Sequence, residues 1–112
     1  MKVEVFYFEG CPNHQAAVQR VKEILREEGL AAEVIEVNVP DQKTATRLGF
    51  LGSPTIRVNG LDVEPSARSC RDAGMTCRTY VEHGRRVGLP SRNLVRTALK
   101  QAQVDASGAD QS

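Results

Sequence analysis

A short apolar strand that breaks at Gly10-Cys11-Pro12 and passes at once into a long amphipathic helix sets the tightest limit on this fold. Val3-Glu4-Val5-Phe6-Tyr7-Phe8 mixes β-branched and aromatic residues, the pattern of a buried strand. From Pro12 to Gly29, the residues Ala17, Val18, Val21, Ile24 and Leu25 recur at helical spacing. Gln15, Gln19, Lys22, Glu23 and Arg26 fill the other face. Pro12 suits a first helical position, where its missing N–H has no partner to lose, and Gly29 suits the C-terminal cap. A strand, a helix and a further strand in that order require a right-handed crossover and a sheet covered by helices.

The remaining punctuation continues the pattern. Glu33 to Val39 alternates and stops at Pro40, giving a second strand. Asp41 can cap a short helix through about Leu48, with Thr44, Ala45 and Leu48 turned inward. Ser53 to Val58 reads as a third strand, Asn59-Gly60 as a tight hairpin turn, and Leu61 to Val63 as a fourth strand. Residues 64–90 are an irregular insert, in which only Met75 to Val81 could form a short strand or bridge. Ser91 then caps a last helix with Leu94, Val95, Ala98, Leu99 and Ala102 on its apolar stripe. The expected organisation is one α/β domain over residues 1–103, ordered β-α-β-α-β-β-α around a mixed four-stranded sheet, with a disordered tail at 104–112.

Composition narrows the function classes. With 112 residues there is room for one ordinary domain. No apolar run approaches the roughly 18 residues of a membrane span. The alternation at Met1–Phe8, with Lys2 and Glu4, is unlike a signal peptide, so the expectation is a cytoplasmic protein. Residues 61–100 carry eight Lys/Arg against four Asp/Glu. That excess could attract an anionic partner, but without dense clusters or interleaved aromatics it reads as a solvated face and not as a nucleic-acid surface. No phosphate-binding glycine loop, Ser-His-Asp set or paired-carboxylate motif is present, and no cofactor is expected.

Chemistry gathers at Cys11. Free backbone N–H groups and the positive end of the helix favour a thiolate there. His14 follows on the first turn, where it could support that thiolate, relay a proton or ligate a metal. The plainer alternative is a buried cysteine and an exposed histidine with no joint role. Cys70 and Cys77 lie in the insert, whose length exceeds what the fold needs. They are candidate resolving thiols, or two small packing residues, or one local disulfide. Three cysteines leave one without an intrachain partner. His83 beside Gly84 reads as a loop histidine and Arg85-Arg86 as a solvated pair.

The segment Phe8-Glu9-Gly10-Cys11-Pro12-Asn13-His14 resembles the active-site turn of the thioredoxin superfamily, and Ser53-Pro54-Thr55-Ile56 with Val58-Asn59-Gly60 resembles its second signature. The likeness covers roughly residues 1–63 and the last helix. It implies a thioredoxin-like fold, Cys11 as nucleophile, and a substrate groove formed by Pro12, Ser53, Pro54 and Thr55. It further implies a cis bond before Pro54 and a backbone group of Ser53 that pairs with an incoming extended peptide. Cys77-Arg78-Thr79-Tyr80 is also similar to the end of small thioredoxin-like proteins associated with mercury resistance, though no catalytic residue is carried across from them. The chain departs from the superfamily where His14 replaces the second cysteine, which in relatives releases the product.

Three functions follow as expectations. The first is thiol–disulfide exchange through Cys11 on a protein or small-molecule disulfide, resolved by Cys70, Cys77 or an external thiol such as glutathione. The second is soft-metal binding by Cys11, His14, Cys70 and Cys77, whose donor types suit zinc, copper or mercury. The third is a non-catalytic interaction module that keeps the fold without the chemistry.

Overall fold

The computed structural model describes residues 1–70 and 72–110, the last five by their backbone. The chain is α/β. Strand β1 (Lys2–Tyr7) leads to helix α1 (His14–Glu27), β2 (Glu33–Asn38), α2 (Gln42–Leu48), β3 (Thr55–Val58) and β4 (Leu61–Asp62). A short 3-10 turn at Pro65–Ala67 follows, then β5 (Tyr80–Glu82), β6 (Arg85–Val87) and α3 (Arg92–Asp110). The main sheet runs β2-β1-β3-β4. Strands β1 and β2 are parallel, β3 is antiparallel to β1, and β4 turns back on β3 through Asn59-Gly60. Asn59 and Gly60 take φ 50° and 85°, as a two-residue turn matched to strand twist requires.

Alternation along β1 divides the core. Val3 and Val5, with Ile56 and Val58 of β3, face α1 and α3, where Ala17, Val18, Val21, Ile24 and Leu25 meet Val95, Ala98, Leu99 and Ala102. Phe6 points to the opposite face and packs with Val39, Ala45 and Phe50 beneath α2. Burying each of the larger of these side chains stabilises the fold by about 1.5–3 kcal/mol. The N-terminal caps of α2 and α3 are as the sequence implies: Asp41 accepts from the Thr44 N–H, and Ser91 Oγ accepts from the Leu94 N–H.

The basic excess of residues 61–100 is largely answered within the fold. Arg92 pairs with Glu23 and Glu27, and Arg96 and Lys100 with Glu27 and Glu28, which ties α3 to α1. Among the described residues no helix is long and apolar enough to cross a membrane.

Four expectations are corrected. Helix α1 starts at His14 with Asn13 as its cap, so Pro12 belongs to the preceding turn and not to the first helical position. Strand β3 starts at Thr55 because the backbone of Ser53 pairs elsewhere, in an isolated bridge with Cys77. The insert holds a bridge at Cys77, within the segment expected to form a short strand or bridge, but also a hairpin, β5 and β6, that was not expected; His83 and Gly84, at φ 52° and 76°, form its turn. Helix α3 continues to Asp110 across most of the expected disordered tail. No proline interrupts it there, and the end of that tail, 111–112, lies outside the described residues.

Candidate functional site

The candidate site stands at one end of the sheet. Beyond Tyr7 the chain turns, and the Cys11 N–H donates to the Phe8 carbonyl at 3.2 Å, which keeps Cys11 close to the end of β1. Phe6 is in register with Thr55, so Ser53 and Pro54 lie just beyond the same end of the sheet. The Ser53–Pro54 bond is cis. Cys11 is half-buried, Cys70 and Cys77 are exposed, and all three are free thiols.

His14 is committed to the framework. Its ring stacks on Tyr7 at 3.6 Å between centroids, with an interplanar angle of 7°. Nε2 meets Glu36 Oε1 of β2 at 2.6 Å. Tyr7 sits on the α1 face at the end of β1, so the first turn of α1 is fastened to both parallel strands. The hydrogen bond of the His14 ring goes to Glu36 and not to the Cys11 sulfur.

The insert crosses the same end of the sheet. The Ser53 N–H donates to Thr76 O and the Arg78 N–H donates to Ser53 O, both at 2.9 Å, with Cys77 directly opposite Ser53 in a parallel bridge. The backbone groups expected to receive an extended peptide are therefore occupied by the chain's own residues 76–78. Ser53 Oγ is buried beneath them without a partner.

This strap is anchored by side chains that sequence reasoning missed. Arg78, only 6% exposed, reaches back to β4 and donates to both carboxylate oxygens of Asp62 at 2.6 and 2.9 Å. It also reaches Glu64 at 3.2 Å and Thr55 Oγ1 at 3.1 Å. Burial opposes charge on the guanidinium, yet the hydrogen bonds to Asp62 and Glu64 and the neighbouring negative charges hold its pKa above the usual value. Its guanidinium carbon, Cζ, lies over the ring of Tyr80, 4.5 Å from the centroid. Tyr80, itself 1% exposed, donates its hydroxyl to Pro54 O at 2.7 Å. Burial, partly offset by Arg78, pushes its phenol well above the ordinary value near 10. The available signal was an Arg and a Tyr at positions 78 and 80, on alternate residues of a segment with strand character.

The insert also touches both sides of the Cys11 turn. Met75 joins Phe8, Glu9, Asn38, Val39 and Pro40 around a groove of about 390 Å³. Beyond the hairpin, Gly88 packs so tightly on Asn13 that a Cβ there would run into the side-chain amide nitrogen. Cys70 lies elsewhere, in a recess shared with Leu48, Gly49, Arg57 and Leu61 near the β3–β4 turn. Among the described residues no three His, Cys, Asp or Glu side chains converge to hold a metal ion. Cys11, His14, Cys70 and Cys77 are thus not gathered into one ligand set.

Residues 12–99 match a protein-family model described as a domain of unknown function, DUF2703, a match that begins one residue after Cys11. No curated protein and no solved structure matches the chain.

Proposed function

The chain belongs to the DUF2703 family, whose description carries no activity, and from that premise we propose a thioredoxin-like redox protein that exchanges thiols and disulfides through Cys11. The observation that carries the reading is the position of Cys11. It is a half-exposed free thiol on the turn between β1 and α1, at the sheet end that also holds Ser53 and Pro54. The strand order β2-β1-β3-β4, with a parallel β1–β2 pair and an antiparallel β3–β4 hairpin, supports the thioredoxin-like reading of the fold.

In this reading the Cys11 thiolate attacks one sulfur of a disulfide. A mixed disulfide forms on Cys11, and the second sulfur leaves as a thiolate. His14 holds the turn in place through Tyr7 and Glu36 instead of exchanging a proton with the sulfur. The substrate is a small-molecule or protein disulfide in a reducing compartment. Reduction of a small disulfide by wild type and by Cys11→Ser tests the reading. Wild type is expected to form a mixed disulfide at Cys11 and the variant none; equal rates in the two proteins would remove Cys11 from the chemistry.

A further inference from the structure

Sequence left open which distant cysteine, if either, could act with Cys11. We infer that Cys77 resolves the mixed disulfide on Cys11, a role that rests on the thiol-exchange reading above. Three independent placements lead to Cys77. Its backbone lies opposite Ser53, at the sheet end where β1 delivers Cys11. The insert flanks the Cys11 turn on both sides of Cys77 in sequence, with Met75 beside Phe8 and Glu9 and Gly88 against Asn13. Cys77 is also held from within the strap, because Arg78 and Tyr80 are both buried and hydrogen-bonded to β4 and to Pro54. Its thiol stays exposed and free. Cys70 shares none of these placements.

The strap also occupies the Ser53 edge that the resemblance assigns to an extended substrate. The chain thus supplies its own strand there, with a cysteine at the residue facing Ser53. The balanced sequence has two steps. Cys11 thiolate attacks a disulfide R–S–S–R′, forming Cys11–S–S–R and releasing R′S⁻. Cys77 thiolate then attacks the Cys11 sulfur, forming Cys11–S–S–Cys77 and releasing RS⁻. The protein dithiol is oxidised by two electrons and the external disulfide is reduced to two thiols, which take their protons from solvent.

The test uses the full chain, reduced and then treated with one equivalent of oxidised glutathione, quenched in acid and mapped by peptide mass spectrometry. Cys70→Ser is expected to yield a Cys11–Cys77 disulfide and free glutathione. Cys77→Ser is expected to retain glutathione on Cys11, decaying at least about tenfold more slowly than in wild type, as loss of an intramolecular partner implies. Circular dichroism of both variants checks the fold, and the main-chain bonds of Ser53 to Thr76 and Arg78 survive either change. A Cys11–Cys70 crosslink in wild type, or an adduct that persists equally in wild type and Cys77→Ser, overturns the role of Cys77 while leaving Cys11 reactive. Failure of Cys11 to take any adduct in Cys77→Ser overturns the thiol-exchange reading itself, and this inference with it.

Discussion

Tyr80 donates its hydroxyl to the carbonyl of Pro54 across 26 positions of sequence, at 2.7 Å and out of contact with water. This single bond joins the hairpin of the insert to the loop that carries Ser53. Tyr80→Phe removes the donor and leaves a buried carbonyl unpaired, at an expected cost of about 1–3 kcal/mol at neutral pH, read from urea unfolding. The pH profile adds a second signature. Burial raises the Tyr80 phenol in the folded protein above its unfolded value near 10. Its contribution to stability is whole below pH 10 and is lost as pH rises past that point, because the unfolded chain ionises first. Tyr80→Phe is therefore expected to lose less stability than wild type between about pH 10 and 11. Parallel profiles for the two proteins would place the phenol in water.

Arg78 carries the other anchor. Its guanidinium and the Asp62 carboxylate are each about nineteen-twentieths buried and bonded to one another twice. Removing one member strands the other, so Arg78→Met is expected to cost about 3–5 kcal/mol. The double change Arg78→Met with Asp62→Leu should recover much of that loss, because no charge then remains buried alone. A double variant no more stable than Arg78→Met would show that the pair contributes little as a pair. Thermal melts of the three proteins decide it.

Two glycines beneath and beside the strap should respond differently. Gly52 sits at φ 117°, and a Cβ there would approach Thr76 O to 2.9 Å and the Arg78 backbone to 3.2 Å. Neither the conformation nor the contact can relax without lifting the strap. Gly52→Ala is expected to cost about 1–3 kcal/mol or more and to speed exchange of the Arg78 amide hydrogen. Gly88→Ala meets the Asn13 side-chain amide, the far end of a flexible group, and carries no positive φ. It should cost less than Gly52→Ala and leave the Arg78 amide protected. Hydrogen exchange resolved by residue distinguishes the two.

The elements legible in sequence were those whose local pattern and tertiary burial agree. The α1 stripe from Ala17 to Leu25, the Asp41 and Ser91 caps and the Asn59-Gly60 turn each follow from residues close together in the chain. The candidate site was legible only in its first half. Cys11 and Ser53-Pro54 stand out as motifs, but their surroundings depend on pairings of high sequence separation. Cys77 meets Ser53 and Tyr80 meets Pro54 through contacts that no periodicity encodes. Arg78 looked like one more surface cation, because nothing local distinguishes a buried arginine whose acid lies 16 residues away. His14 was read with its sequence neighbour Cys11, whereas its partner Glu36 arrives on the far side of the β1-α1-β2 crossover.

That partnership gives His14 a testable structural role. Its ring is sandwiched onto Tyr7 and tied to Glu36, with no hydrogen bond to the Cys11 sulfur. The stacking contributes about 0.5–1.5 kcal/mol and the partly exposed hydrogen bond to Glu36 under about 1 kcal/mol. His14→Ala should therefore lower stability by about 1–2 kcal/mol. His14→Phe keeps the stacked ring and should recover more than half of that, and Glu36→Gln should cost under about 1 kcal/mol. Reactivity supplies the decisive contrast. A general base in contact with the sulfur would contribute roughly 10²–10⁴-fold. A tether contributes through position alone, so iodoacetamide should alkylate Cys11 in His14→Phe at a rate within a few-fold of wild type. A loss of a hundredfold or more in the folded variant would return His14 to the chemistry.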